Sequence, residues 1–124
     1  MSDNKKKGTA YEEKAAIYLE KFGLKILERN FRCKLGEIDL IGMHHNQLVF
    51  VEVKYRRTNR SGTPEEAVGI NKQLKICHSS DYYRAIHPAS AHYQIRYDVV
   101  AILGNQINWY QNAFSYQRRG MSWL

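Results

Sequence analysis

The sequence is poor in the residues and segments that mark disulfide-rich, secreted and membrane proteins. It contains two cysteines, Cys33 and Cys77, which form no Cys-x-x-Cys pair, and only two prolines among 124 residues. Its apolar runs are far shorter than the ~20 residues that span a bilayer, and the opening MSDNKKKG lacks the apolar segment of a signal peptide. We therefore expect a single cytoplasmic domain over residues 1–124, with reduced thiols and no membrane partner.

Positive charge, in contrast, is abundant. Nineteen Lys and Arg residues oppose twelve Asp and Glu residues, for a net charge of +7. Such an excess is typical of proteins that bind polyanions, and membrane surfaces and RNA are polyanionic partners that would explain it as well as DNA. A basic run is also often only a solvated surface. Part of the charge follows an acidic strand directly, which favours nucleic acid, and its members are Lys54, Arg56, Arg57 and Arg60. Lys72 is a further candidate phosphate contact, with a plainly solvated lysine as the alternative.

Periodicity predicts a first helix and three strands in the first half of the chain. The stretch TAYEEKAAIYLEKFG has helical spacing with Thr9 as its N-cap, which leaves residues 1–7 as a basic leader that we expect to be disordered. Glu12, in the first turn, is either a partner of the helix dipole or a site residue. The segments LKILERNFR, GEIDLIG and QLVFVEVKYR read as strands, the last two as a hairpin.

The second half predicts one more helix and two strands. Thr63 and Glu66 form a capping box for a helix that starts TPEEAVGINKQLKICHSS. Its predicted apolar stripe consists of Ala67, Ile70, Leu74 and Cys77. The segments YQIRYDVVAI and NQINWYQ read as strands joined by a Gly-Asn turn, and residues 115–124 form a tail. The order αβββαββ indicates an α/β domain in which helices cover a mixed sheet.

Charged residues interrupt both arms of the predicted hairpin. Glu37 and Asp39 alternate along the first arm, and Glu52 and Lys54 along the second, so each pair lies on one face. A two-residue turn at 45–46 would place Asp39 opposite Glu52 and Glu37 opposite Lys54. The Cβ atoms of such opposed residues lie roughly 4.5 to 5.5 Å apart.

Carboxylates in apolar strands need a compensating partner. Opposed like charges are destabilising, and burial of an unpaired carboxylate costs several kcal/mol. One explanation is a salt bridge from Lys54 to Glu52 or Glu37 on a solvated face. The other is a divalent-metal site, because carboxylates and a backbone carbonyl supply the oxygen ligands that Mg²⁺ prefers and a nearby lysine can hold an attacking water.

The segments EID and EVK resemble the Asp…Glu-x-Lys signature of the PD-(D/E)XK nuclease superfamily, whose core has the order αβββαβ. Over about residues 8 to 114 the chain is similar to the YraN family of small bacterial nuclease-like proteins, which itself resembles the archaeal Holliday-junction resolvases. The motifs that agree in order include AAIYLEKFGLKILERNF, GEIDLIG, LVFVEVKYRR and RYDVVAI. The resemblance implies a restriction-endonuclease-like fold with a mixed central sheet flanked by helices.

The resemblance also implies roles for individual residues. Asp39 and Glu52 would be ligands of Mg²⁺ or Mn²⁺, with the carbonyl of Val53 as a candidate third ligand. Lys54 would be the catalytic lysine, and Glu12 a carboxylate that reaches the metal through water. Arg56, Arg57, Arg60 and Lys72 remain the candidate nucleic-acid contacts suggested by the charge pattern.

The sequence departs from the family pattern at two positions, and these departures bear on the choice between alternative functions. Ile38 stands where the superfamily has a proline, and Tyr11 stands where the family has glycine, which puts a large ring beside Glu12. We expect a metal-dependent endonuclease acting on DNA or a branched nucleic acid, and junction cleavage would require a homodimer. The alternatives are a nucleic-acid-binding module that does not cleave and, more weakly supported, an interaction protein that binds ribosomal RNA or an acidic partner.

Overall fold

The computed structural model describes residues 2–56 and 68–117, with side chains from residue 10 onward. Helix α1 (Ser2–Lys21) precedes three strands, β1 (Lys25–Cys33), β2 (Gly36–His44) and β3 (Gln47–Arg56). Helix α2 (Ile70–Ile86) and a 3₁₀ turn (Pro88–His92) lead to β4 (Gln94–Leu103) and β5 (Gln106–Phe114). The predicted order αβββαββ is confirmed.

The five strands form one mixed sheet in the order β1-β2-β3-β4-β5. Strands β3 and β4 are parallel, and the other three neighbouring pairs are antiparallel. A parallel pair needs a crossover connection, and α2 lies in the segment that makes it. This arrangement is an α/β fold of the restriction-endonuclease-like type, as expected.

The β2–β3 hairpin has the predicted turn. Both residues of the turn at 45–46 have positive φ, 50° and 63°, which is the backbone of a type I′ turn. The pairing of Leu40 with Val51 follows the predicted register. In this register Asp39 lies opposite Glu52, one step beyond the last pair of the ladder.

The sheet buries apolar side chains on both faces, each under one helix. The face under α1 is formed by Ala15, Ala16, Leu19, Leu24, Leu40, Val49, Val51, Val100 and Ile102. The face under α2 includes Phe31, Ile38, Ile41, Leu48, Phe50, Ile76, Cys77, Tyr83, Tyr97 and Val99. Both faces of β3 are therefore covered, which explains why its sequence is nearly continuous in apolar residues before Glu52.

Helix α1 starts earlier than predicted. It begins at Ser2, so Thr9 lies inside the helix instead of capping it, and residues 2–7 are helical instead of forming a separate leader. Lysine is a good helix former, and the three lysines in this segment favour continuation of the helix. Neither α1 nor any other helix in the described part of the chain is long and apolar enough to cross a membrane.

Helix α2 starts later than predicted and buries a different face. It begins at Ile70, which is 43% exposed, after an extended Gly69; the predicted start at 63–66 lies outside the described residues. The buried side chains are Gln73, Ile76, Cys77, Ser79, Ser80 and Tyr83. The Ser80 hydroxyl is hydrogen-bonded to the Tyr97 hydroxyl at 2.6 Å. A pattern based on apolar residues alone misses this face, because hydrogen bonds let serines be buried.

A buried ion pair lies near the β2–β3 turn. Arg96 is 6% exposed and Asp98 is fully buried, and the Arg96 Nε and Nη2 atoms each donate to an Asp98 oxygen at 2.9 Å. Arg96 also donates to Gln47 Oε1 at 2.9 Å and lies 3.0 Å from His44 Nδ1. Trp109 Nε1 donates to Asp98 at 2.8 Å. Asp98 is therefore a structural anchor between β4 and β5.

Candidate metal centre

Strands β2 and β3 stop pairing at Asp39. The last pair of their ladder is Leu40 with Val51. Beyond it, the Val53 backbone N–H donates to Asp39 Oδ2 at 2.8 Å. A side-chain carboxylate thus replaces a backbone carbonyl as the acceptor, and this hydrogen bond fixes Asp39 where the two strands diverge.

The backbone of β1 is irregular beside Asp39. Asn30 has a left-handed conformation with φ of 53°, and the paired residues of the β1–β2 ladder flank Asn30 and Asp39. The Asn30 side chain makes a hydrogen bond to Glu12 of α1, which favours the charged form of Glu12. Asparagine tolerates this conformation better than most residues. The left-handed Asn30 therefore helps to hold the Glu12 carboxyl group near β2.

Three carboxyl groups converge at this point. One oxygen from each of Glu12, Glu37 and Asp39 lies within 4.8 Å of the other two, and all three side chains are half-buried. Glu37 also faces Arg32, whose Nε lies 3.3 Å from Glu37 Oε2. The three oxygens are close enough together for one cation to contact all of them.

Glu52 joins the group from the side of α2. Burial, followed by the charge of Asp39, raises the pKa of Glu52 to about 8. A hydrogen bond with Asp39 contributes to the raised pKa, and such a bond needs a proton between the two carboxyl groups. Lys72 Nζ lies 3.7 Å from Glu52 Oε2 and, together with the more weakly acting Lys54, favours the charged form.

Glu12 is affected in the same way. Burial and then the charge of Asp39 raise its pKa to about 7, with a smaller contribution from Glu37. A hydrogen bond with Asp39 acts in the same direction. Asp39 is thus the central member of the cluster, in contact with Glu12 on one side and Glu52 on the other.

The chemistry of the cluster fits Mg²⁺ or Mn²⁺. All four groups offer hard carboxylate oxygens. Burial, followed by the charge of Asp39, raises the pKa values of Glu12 and Glu52, so their charged forms are disfavoured in the protein alone. A divalent cation would compensate them. The backbone N–H of Val53 is used by Asp39, and the ligand role of the Val53 carbonyl stays a prediction.

The predicted basic residues are distributed around this cluster. Lys54 is exposed and Arg56 is half-buried at the C-terminal end of β3. Arg57 and Arg60 lie outside the described residues. Lys72 is ion-paired with Glu52 instead of standing alone on the surface. Its role as a phosphate contact stays a prediction, and its partner in the structure is a carboxylate of the site.

Two residues at the cluster, Glu37 and Asn30, have no role that the sequence predicts. Glu37 belongs to the motif GEIDLIG, for which the resemblance implies no role, and the pattern around Asn30 predicts only a strand. The available signal for Asn30 was its residue type, since asparagine is uncommon in strands and enriched in left-handed conformations. Its contact with Glu12 depends on where α1 packs, which local patterns do not contain.

The ring of Tyr11 does not stand between Glu12 and the other carboxyl groups. It stacks on Tyr55 of β3, with ring centroids 4.0 Å apart and planes at 13°. The departure from the family pattern at this position therefore leaves Glu12 in contact with Asp39.

The cluster predicts an unusual pH dependence for the metal-free protein. Glu12 and Glu52 ordinarily titrate near 4.5 and have folded-state pKa values of about 7 and 8. The folded state therefore keeps protons that the unfolded chain releases, and stability should fall as pH rises from about 4.5 to 8. Thermal unfolding in EDTA at about pH 5, 7 and 9 measures this effect.

Two controls separate this effect from general titration. Glu52→Gln removes one of the shifted groups and should flatten the decline. Saturating Mg²⁺ or Mn²⁺ should stabilise the protein more at high pH than at low pH, because a cation competes with protons for the same oxygens. A wild-type protein whose stability rises steadily over this interval in EDTA would contradict the described arrangement.

Comparison with known proteins places the chain among small bacterial proteins. Residues 11–102 match the model of the uncharacterised protein family UPF0102. A UPF0102 protein of Lachnoclostridium phytofermentans is 45% identical over 112 residues, 90% of this chain and 95% of the relative. Others from Cytophaga hutchinsonii and Stutzerimonas stutzeri are 48% and 37% identical, and cover 82% and 92% of this chain and 88% and 98% of their own lengths. UPF0102 is the YraN family, so the resemblance seen in the motifs is confirmed.

Proposed function

Because the chain belongs to the UPF0102 family and gathers four carboxyl groups around Asp39, we propose that it is a nuclease. It would use Mg²⁺ or Mn²⁺ to hydrolyse phosphodiester bonds in DNA or in a branched nucleic acid. The observation that carries this proposal is the convergence of Glu12, Glu37 and Glu52 on Asp39, from α1, β2 and β3. Such a cluster is costly for stability alone, and it has the ligand chemistry that phosphoryl-transfer sites use.

Individual side chains would divide the work. Asp39, Glu12 and Glu37 would hold the cation, and Glu52 is close enough to Asp39 to join them. When bound, the cation supplies activation of the attacking water and neutralisation of phosphate charge. Lys54 is exposed and near enough to Glu52 to lower its pKa. Its ammonium group would donate to the attacking water or to the phosphate oxygen that gains charge.

Positive charge around the cluster would hold the nucleic-acid backbone. Lys54 and Arg56 lie at the end of β3, where Arg57 and Arg60 follow in sequence. Together with the net charge of +7, these residues would neutralise phosphates on both sides of the bond to be cut. DNA is the favoured substrate, because the segments EID and EVK resemble the signature of a superfamily of DNA nucleases.

A non-catalytic nucleic-acid-binding module is the second candidate, and one contact favours it. Lys72 Nζ lies 3.7 Å from Glu52 Oε2, so part of the negative charge at the cluster is already compensated by the protein itself. A cluster that is stable without a cation could serve a protein that binds nucleic acid and leaves it intact.

A cleavage panel separates the two candidates. The purified protein is incubated with Mg²⁺, Mn²⁺ or EDTA on single-stranded, duplex, flap and four-way-junction DNA and on RNA. A nuclease should cut at least one DNA substrate with metal and none in EDTA, and its affinity should fall as salt rises because bound counterions are released. Paired cuts across the junction would additionally require a homodimer, which sedimentation would detect.

The remaining outcomes are equally informative. Salt-sensitive binding without cleavage of any substrate would favour the binding module. Absence of both cleavage and salt-sensitive binding would reject both candidates and leave an interaction protein as the better explanation.

A further inference from the structure

Two stacked tyrosines lie beside the carboxylate cluster. Tyr11 of α1 and Tyr55 of β3 have ring centroids 4.0 Å apart and planes inclined by 13°. Tyr11 directly precedes Glu12, and Tyr55 directly follows Lys54. The pair therefore stands at the border of the site, between the two elements that supply Glu12 and Lys54.

The two rings have different surroundings. Tyr11 is half-buried and packs against the core under α1, and Lys14 Nζ lies 5.8 Å from its ring centroid. Tyr55 remains 38% exposed. Because Tyr11 covers one face of the Tyr55 ring, any part of the ring that is exposed belongs to the opposite face or to the ring edge. Tyr11 thus holds the ring of Tyr55 in place by stacking on one of its faces.

The charges near the pair suit a nucleotide. Lys14 is exposed and lies on the Tyr11 side of the pair. Lys54 and Arg56 precede and follow Tyr55 in β3, so their side chains project to the other side of the strand. Proteins that bind single-stranded nucleic acid combine an aromatic ring, on which a base stacks, with nearby cations that contact the phosphates before and after that base. A partly exposed tyrosine whose strand neighbours are Lys54 and Arg56 fits this combination.

We propose that Tyr55, supported by Tyr11, stacks on an unpaired nucleobase next to the phosphate held at the carboxylate cluster. This inference rests on the proposed nuclease function and narrows its substrate. A base inside a continuous duplex is already stacked on both sides and cannot offer its face to Tyr55. The site therefore selects nucleic acid with an unpaired nucleotide at the position of cutting, such as a flap, a single strand or an open junction.

Abasic substitution tests the inference directly. A flap DNA fixes the position of each unpaired nucleotide relative to the branch, and a single abasic residue is moved along the flap while affinity is measured in EDTA. At one position the abasic residue should weaken binding by wild-type protein by roughly 5-fold to 150-fold, the range for loss of one stacked base. At the other positions the change should be small.

Variants show whether Tyr55 is the stacking ring. Tyr55→Leu should bind the intact flap more weakly by the same factor and should lose its sensitivity to the abasic position. Tyr55→Trp should keep both the affinity and the sensitivity, which controls for a loss of folding. Tyr93→Leu removes a tyrosine that is 43% exposed and precedes the first residue of β4, and it should behave as wild type.

The results separate this inference from the proposed function. Flap DNA that is cut and bound in a salt-sensitive manner, with no effect of abasic residues, would overturn the stacking role and leave the nuclease proposal intact. Retained abasic sensitivity in Tyr55→Leu would also overturn it. Failure to bind any nucleic acid would overturn both.

Discussion

Replacement of Asp39 by Asn should abolish cleavage of every substrate that the wild-type protein cuts, while nucleic-acid binding persists. Asp39 contacts both Glu12 and Glu52, so its charge is central to the proposed metal centre. Loss of a residue that only supports a metal ligand costs roughly 10- to 100-fold in metal affinity or activity, and loss of the central ligand should cost more. Asparagine keeps an oxygen that can accept the Val53 N–H, so the fold should survive.

The control for this variant is Glu20→Gln. Glu20 is a carboxylate of α1 that lies outside the cluster; it is exposed, with Oε1 4.0 Å from Arg29 Nη2, and its loss should leave cleavage unchanged. Gel-based cleavage assays with Mg²⁺ or Mn²⁺ measure the activity, and fluorescence anisotropy in EDTA measures the binding. Asp39→Asn should bind as tightly as wild type or more tightly, because one negative charge facing the phosphates is gone. Equal cleavage by both variants would indicate a contaminating nuclease and remove the assignment.

Replacement of Asp98 by Ala should cause the largest loss of stability among single substitutions of charged residues. Asp98 is fully buried and accepts from Arg96, from Trp109 Nε1 and from the Asn112 N–H. Its removal leaves the buried Arg96 guanidinium without a counter-charge. Breaking a buried pair in this way costs about 3–5 kcal/mol, which corresponds to a decrease in melting temperature of roughly 10–20 °C for a chain of this size.

Urea unfolding followed by circular dichroism measures the change in free energy. Asp81→Ala is the matched control, because the half-buried Asp81 accepts a hydrogen bond from Tyr116 at 2.7 Å and should lose only about 1 kcal/mol. The double variant Arg96→Met with Asp98→Leu removes both charges and should be less destabilised than Asp98→Ala. A loss below about 1 kcal/mol in Asp98→Ala would mean that Arg96 reaches water.

The β2–β3 hairpin illustrates what local sequence can predict. Its two-residue turn contains Asn46, which accepts a left-handed backbone, and its apolar residues fill both faces of β3. Turn geometry and apolar runs act over a few residues, so the hairpin and its register followed from the sequence. The opposition of Asp39 and Glu52 followed from the same rules.

Helix α2 illustrates where local patterns fail. The predicted apolar stripe included Ile70, which is exposed, and omitted Ser79 and Ser80, which are fully buried. Their burial depends on hydrogen bonds such as that between Ser80 and Tyr97, whose two residues lie on different elements. Which face of a helix is buried depends on the elements that pack against it. Apolar periodicity along the sequence therefore predicts the buried face only in part.

The sequence by itself determined the order of elements, the hairpin register and the presence of acidic residues in apolar strands, because these depend on neighbours along the chain. Only the tertiary structure decided which charges meet. Packing of α1 on the sheet brings Glu12 to Asp39, the left-handed Asn30 supports that contact, and docking of α2 brings Lys72 to Glu52. These contacts join distant segments through burial of apolar surface, which is non-directional. The raised pKa values of Glu12 and Glu52, on which the proposed chemistry depends, are therefore properties of the fold and not of any local motif.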